Sequence, residues 1–237
     1  MKSALFWAGV LSAMAVSCST QEPTDTTSPK QHRYFGILEE DSSTRMYADD
    51  QLRTLWNAGD CISIFEKSTF NNKYQLDDEV EDGDTAGGFH YVSGPTFGTE
   101  NPIDHHVAVY PYRSTTKMSN DEELTILLPA EQTYRPDMYG RDANTMVAFT
   151  QENEHGQVRF YFKNLCGFRK VLLYGEDIVV SSVTFSAIFD ETLAGKATVT
   201  VPEVDGIPEI TGFSNDQSSV KLVCPEPVVL GSTKQDA

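Results

Sequence analysis

Ile178-Val179-Val180-Ser181-Ser182-Val183-Thr184-Phe185-Ser186-Ala187-Ile188 reads as one strand. In its second half Val183, Phe185 and Ala187 fall on one face and Ser182, Thr184 and Ser186 on the other, which is the period of two of a pleated strand. One apolar face and one wet face are what an antiparallel sheet with a single buried side requires. Working outward, short alternating or continuous β-branched runs recur at Tyr34 to Leu38, Cys61 to Phe65, Val107 to Tyr112, Leu124 to Leu128, Met146 to Phe149 and Val158 to Phe162. Further runs are Arg169 to Tyr174, Ala197 to Val201 and Val220 to Cys224. Nowhere from His32 onward do apolar residues keep helical spacing over three turns, and no internal repeat of fixed period is visible. Turn chemistry separates the runs at Asn57-Ala58-Gly59-Asp60, Gly87-Gly88, Ser93-Gly94-Pro95, Gly175-Glu176-Asp177 and Asp205-Gly206. Many short strands with this punctuation predict an all-β chain built as a β-sandwich.

The 237 residues carry 35 Asp and Glu against 18 Lys and Arg, a net charge of −17. That balance excludes nucleic acid as a partner, because a nucleic-acid binder needs a basic face to displace counterions. It also excludes a basic patch as the means of reaching an anionic membrane. Hydrophobic residues at 39% and aromatics at 11% suffice for a packed core of one large domain or two small ones.

The N-terminus carries its own address. Met1-Lys2 is a positive start, Ala4 to Val16 is an apolar run of thirteen, and Ser17 is small. The run is shorter than the roughly 20 residues of a spanning helix, so residues 1–17 read as a signal peptide. Cys18 follows Ala15-Val16-Ser17 at once, and the stretch resembles the lipobox of bacterial lipoproteins, in which that cysteine becomes the first residue and carries lipid. The plain alternative is a secretory peptide with a chance cysteine. Acyl chains contribute about 0.8 kcal/mol per buried methylene, so they anchor an acidic protein without a basic patch. Residues 18–31, rich in Ser, Thr, Pro and Gln, read as a lipidated tether.

Cys61, Cys166 and Cys224 remain. At most one disulfide fits three thiols, no pair has metal-ligand spacing, and Cys61 in CISIF and Cys224 in VKLVC read as small buried hydrophobes.

Several phrases together carry a family resemblance: Arg45-Met46-Tyr47, Leu55-Trp56-Asn57-Ala58-Gly59-Asp60-Cys61-Ile62-Ser63-Ile64-Phe65, His106-Val107-Ala108-Val109-Tyr110-Pro111-Tyr112 and Leu127 to Tyr134. Phe162-Lys163-Asn164-Leu165-Cys166-Gly167 and Leu193-Ala194-Gly195-Lys196-Ala197 follow in order. Over roughly residues 35 to 230 the chain resembles the fimbrillin-like surface lipoproteins of the Bacteroidetes. The resemblance implies transthyretin-like antiparallel β-sandwich domains and a role as pilus subunit, pilus anchor or adhesin. It implies lipid anchoring in the outer membrane at the cell surface, other fimbrillin-like subunits or host and bacterial surface ligands as partners, no cofactor and no catalysis. It also implies proteolytic removal of an N-terminal strand after a basic residue, opening a groove for a donor strand. Arg33, Arg45 and Arg53 are candidates, with Arg45 favoured because it ends the polar stretch Glu39 to Thr44. A family anchor subunit keeps its lipid and is not cleaved. The expected organisation is a first sandwich over 32–205 and, over 206–237, C-terminal strands of a second domain that is either docked on the first or incomplete.

Other candidate sites follow from local chemistry. Trp56 before a turn should plug one end of the sandwich, its indole N–H seeking a backbone carbonyl; the functional alternative is a sugar-stacking platform. Tyr110-Pro111-Tyr112 should close a strand, and Leu193-Ala194-Gly195 should be a bend that another strand passes closely. Asp77 to Asp84 is the best cation candidate, yet it puts Asp82 where the EF-hand loop needs glycine and Gly88 where it needs glutamate, so it reads as an exposed acidic loop. His105 and His106, adjacent on a strand, point to opposite faces and cannot easily share a metal. Asp25-Thr26-Thr27 and Asp84-Thr85-Ala86 resemble the sites at which Bacteroidetes O-glycosylate exported proteins, which makes Thr26 and Thr85 candidates. No G-x-S-x-G, H-E-x-x-H, P-loop or G-x-G-x-x-G is present, so no enzyme is expected. The rival to assembly is a glycan-binding outer-surface lipoprotein, whose stacking residues would be Tyr134, Tyr139 and Phe97.

Overall fold

A computed structural model describes residues 34–38, 54–81, 83–95, 102–136, 139, 143–189 and 191–231. The described residues contain strands and no helix. In chain order the strands are β1 (Tyr34–Leu38), β2 (Cys61–Ser68), β3 (Asn72–Leu76), β4 (Ala86–Ser93), β5 (Pro102–Tyr110), β6 (Lys117–Met118) and β7 (Leu124–Leu128). There follow β8 (Glu131–Thr133), β9 (Met146–Thr150), β10 (Val158–Asn164), β11 (Val179–Ser186), β12 (Ala194–Thr200), β13 (Glu209–Gln217) and β14 (Ser219–Val229).

Seven of these close into a barrel in the order β1-β10-β9-β5-β2-β3-β4, with β4 returning to β1. Ile62 and Ile64 of β2, Ala108 and Tyr110 of β5, Met146 and Ala148 of β9 and Phe160 and Phe162 of β10 fill its interior. The alternate residues of three of those strands, Phe65, Val107, Val109, Val147 and Phe149, join a second core instead. There they meet Leu124, Ile126 and Leu128 of β7 and Ala197 and Val199 of β12, from a four-stranded sheet ordered β13-β12-β7-β6. Burial on both faces is why Val107 to Tyr110 and Met146 to Phe149 are continuous apolar runs and not alternating ones, and why Ile62 to Phe65 is buried throughout, Ser63 included. At β12 the expected close passage is present: Gly195 sits at φ +134°, and a Cβ there would lie 2.8 Å from the carbonyl oxygen of Asn215 on β13.

The remaining sheet, β11-β14-β8, contributes no residue to either core. Val183 and Phe185 stand opposite Leu222 and Val220, so the apolar face that the sequence predicts is real. It is not buried, however, and Phe185 remains 37% exposed. The last two strands part company: β13 packs Ile210 and Phe213 against the second core, whereas β14 pairs with β11 and β8.

Three sequence expectations are corrected. Arg169 to Tyr174 form no strand, and Val171, Leu172, Leu173 and Tyr174 are exposed: strand-like composition makes a strand only where a sheet edge pairs with it, and this stretch joins none of the sheets among the described residues. Gly87-Gly88 is not a turn but part of β4, opposite Gly36 and Phe35 of β1. A Cβ on Gly87 would lie 2.7 Å from Val80 and 2.8 Å from Leu76, so close packing of the acidic loop's one apolar side chain calls for glycine in mid-strand. Cys61 and Cys224 are half-buried, not buried, and no disulfide joins Cys61, Cys166 or Cys224 to another described residue.

Candidate assembly site at the closing strand of the barrel

β1 has five residues and completes the barrel. It runs parallel to β10, pairing Tyr34 with Val158 and Leu38 with Phe162, and antiparallel to β4, pairing Tyr34 with Phe89 and Ile37 with Ala86. Tyr34, Gly36 and Leu38 face inward, while Phe35 lies on the outer surface, 36% exposed. Beyond the pairing with β4, the Leu38 N–H donates to the Thr85 carbonyl at 2.8 Å. Without β1, the edges of β4 and β10 that it satisfies would stand open.

The three inward positions differ in what they meet. The Tyr34 ring packs edge-on to Tyr74 at 5.1 Å and stacked with Phe160 at 6.0 Å. Beyond it lies the polar end of the barrel, where the Tyr74 hydroxyl donates to the Glu66 carboxylate and buried His106 holds Nε2 3.9 Å from Glu152. Gly36 faces an aromatic cage: a Cβ there would lie 2.7 Å from Phe89 and 3.2 Å from both Phe162 and Trp56. These rings brace one another, with Trp56 edge-on to Phe89, Phe162 and Tyr110 at 5.3, 5.5 and 5.6 Å.

Trp56 therefore sits inside the barrel with no exposed surface, which leaves no face for a sugar. Its backbone is clasped to the acidic loop, donating to the Asp84 carbonyl and accepting from Gly83. The expected acceptor for its indole N–H is absent among the described residues. Asp60 braces the preceding turn, accepting from the Asn57 N–H at 2.9 Å and the Tyr110 hydroxyl at 3.4 Å.

In the acidic loop, Asp77 accepts from His90 at 2.7 Å while Asp78, Glu79, Glu81 and Asp84 are exposed. No cluster of His, Cys, Asp and Glu suited to a metal occurs among the described residues. Thr85 is exposed, immediately before β4. His105 turns outward to Glu122 at 2.8 Å while His106 turns into the barrel, as their adjacency on β5 dictates. Cys18, Thr26, Arg33, Arg45 and Arg53 lie outside the described residues, as does Phe97. Of the other loop aromatics, Tyr139 stacks on Phe168 at 4.8 Å, and the Tyr134 backbone N–H donates to Val223. No helix among the described residues is long and apolar enough to cross a membrane.

Sequence reasoning found Trp56 but missed the cage formed with Phe89, Phe162 and Gly36. The available signal was Tyr34-Phe35-Gly36-Ile37-Leu38 itself, an alternating run with a glycine where an inward side chain belongs.

No family model, curated protein sequence or solved structure matches the chain.

Proposed function

We propose that the chain is a lipid-anchored cell-surface protein of the fimbrillin-like kind that acts in adhesion or pilus assembly, as subunit or anchor, through strand-edge contacts with other protein chains. The observation that carries the reading is the position of β1. It is short, it lies N-terminal to Arg45, and it alone fills the gap between β4 and β10. Cleavage after Arg45 or Arg53 would detach β1, whereas cleavage after Arg33 would leave it in place. Detachment exposes two strand edges and an apolar slot that an extended segment of another subunit can complete, main-chain hydrogen bonds supplying affinity and the inward side chains specificity. A transthyretin-like sandwich is part of this reading, supported by the barrel wall of β2, β5 and β9 facing a second sheet across a shared core.

The test is made on cells. Cys18→Ala should release the protein from the outer membrane or leave it unprocessed, and Arg45→Ala should abolish both the shortened N-terminus and polymer ladders on gels. Unchanged membrane partitioning in the first variant removes the anchor, and undiminished ladders in the second remove Arg45 as the processing site. Electron microscopy of cells bearing a tagged copy distinguishes a fibre from a dispersed adhesin.

A further inference from the structure

Resting on the reading that β1 is exchangeable, we propose that the slot it occupies selects its occupant by a glycine at the middle inward position. The rule has the form aromatic-x-Gly-x-aliphatic, with the segment running parallel to β10.

The selectivity comes from the rigidity of the cage. A Cβ 2.7 Å from a ring carbon requires something to move, and such a shift is cheap only when the neighbour is a flexible side-chain tip. Phe89 is 3% exposed and its ring abuts Trp56; Phe162 is 2% exposed and abuts the same indole from another side. A shift of either ring therefore pushes on Trp56, which has no exposed surface. Interiors this closely packed do not absorb an added methyl without displacing backbone. The aromatic position is set differently, by a seat between Tyr74 and Phe160 that a ring fills. The aliphatic position is the buried site of Leu38, whose backbone N–H is held by Thr85. The residue at Phe35 faces outward and carries no such restriction. Sliding an incoming strand by one residue would put a side chain into the cage, so the glycine also fixes register.

The experiment uses the full chain with residues 41–45 replaced by a site-specific protease sequence, cut after purification. Fluorescent peptides spanning residues 30–41 are offered in excess, and uptake is followed by anisotropy and native mass spectrometry. The parent peptide and one carrying Phe35→Ser should be taken up alike. A Gly36→Ala peptide should bind at least tenfold more weakly, and a Gly36→Val peptide should not bind. Equal uptake of the parent and Gly36→Val peptides overturns the glycine rule while leaving strand exchange intact. Failure of every peptide to displace the cut fragment overturns exchange at this slot, and the glycine rule falls with it.

Discussion

The barrel and the sheet β11-β14-β8 both contain strands whose apolar residues alternate, β1 in the one and β11 in the other, yet one is filled and the other is open. In the barrel each inward residue meets rings and aliphatic groups from several strands, and β2, β5 and β9 are buried on their outer faces as well. In the three-stranded sheet Val183, Phe185, Val220 and Leu222 line up on one face with no second layer among the described residues. Alternation thus specifies which side chains share a face, and only the neighbouring layer decides whether that face is a core. The difference teaches where stability and binding capacity should lie: the first region holds the fold, the second offers surface.

The largest effect should come from Trp56→Ala, which empties the junction of the aromatic cage and should cost about 3–5 kcal/mol in chemical denaturation. A loss below about 1 kcal/mol would show that the cage does not hold the barrel together. The contrast between regions is sharpest with one residue type in both. Phe162→Ala should cost about 3–5 kcal/mol, whereas Phe185→Ala, half-exposed on the open sheet, should cost less than about 1.5 kcal/mol and reduce any self-association. Equal costs would break the comparison. Hydrogen exchange gives a backbone version: amides from Val107 to Tyr110 should open only with global unfolding, and those from Val220 to Cys224 should exchange through smaller openings. Slow exchange at both places would mean that another layer covers the sheet. The smallest effect should come from Asp205. Burial pushes its carboxyl above the ordinary aspartate range, opposed by a hydrogen bond from Thr150 and the charge of Lys163. A raised folded-state value favours the protonated native state, so its stabilising share is full below the ordinary aspartate value and is lost as pH rises through the raised one. Asp205→Asn stays neutral and suits the left-handed backbone at φ 56°. It should raise Tm by about 1–2 °C at neutral pH and make no difference in acid.

Much of the strand inventory was legible because period-two patterning is local. Tyr34 to Leu38 and Leu124 to Leu128 match β1 and β7 residue for residue. What was not legible depends on distant partners. Asn72–Leu76 offers only Tyr74 and Leu76 as apolar residues and begins on a buried asparagine, too short an alternation to announce β3. Gly87-Gly88 carries the chemistry of a turn, and only the proximity of Val80 and Leu76 makes it strand. Arg169 to Tyr174 has strand composition but joins none of the sheets among the described residues. At the candidate site, Trp56 announced itself by type, whereas Phe89 and Phe162 gain their meaning from a glycine far away in sequence. Closure of the barrel could not be read at all, since it rests on residue 34 finding residue 158.

That pairing also orders the history of the molecule. Loop-closure entropy grows only as the logarithm of chain length, so tying the start of the fold to a strand so far downstream adds little to the equilibrium cost. Kinetically it weighs more, because contacts between distant segments form late. During synthesis from the N-terminus, β1 emerges first and waits for β10 before it has both its neighbours. Until β10 has been made β1 can pair only with β4, so every newly made copy passes through an interval in which the barrel is still open and β1 is held on one side alone.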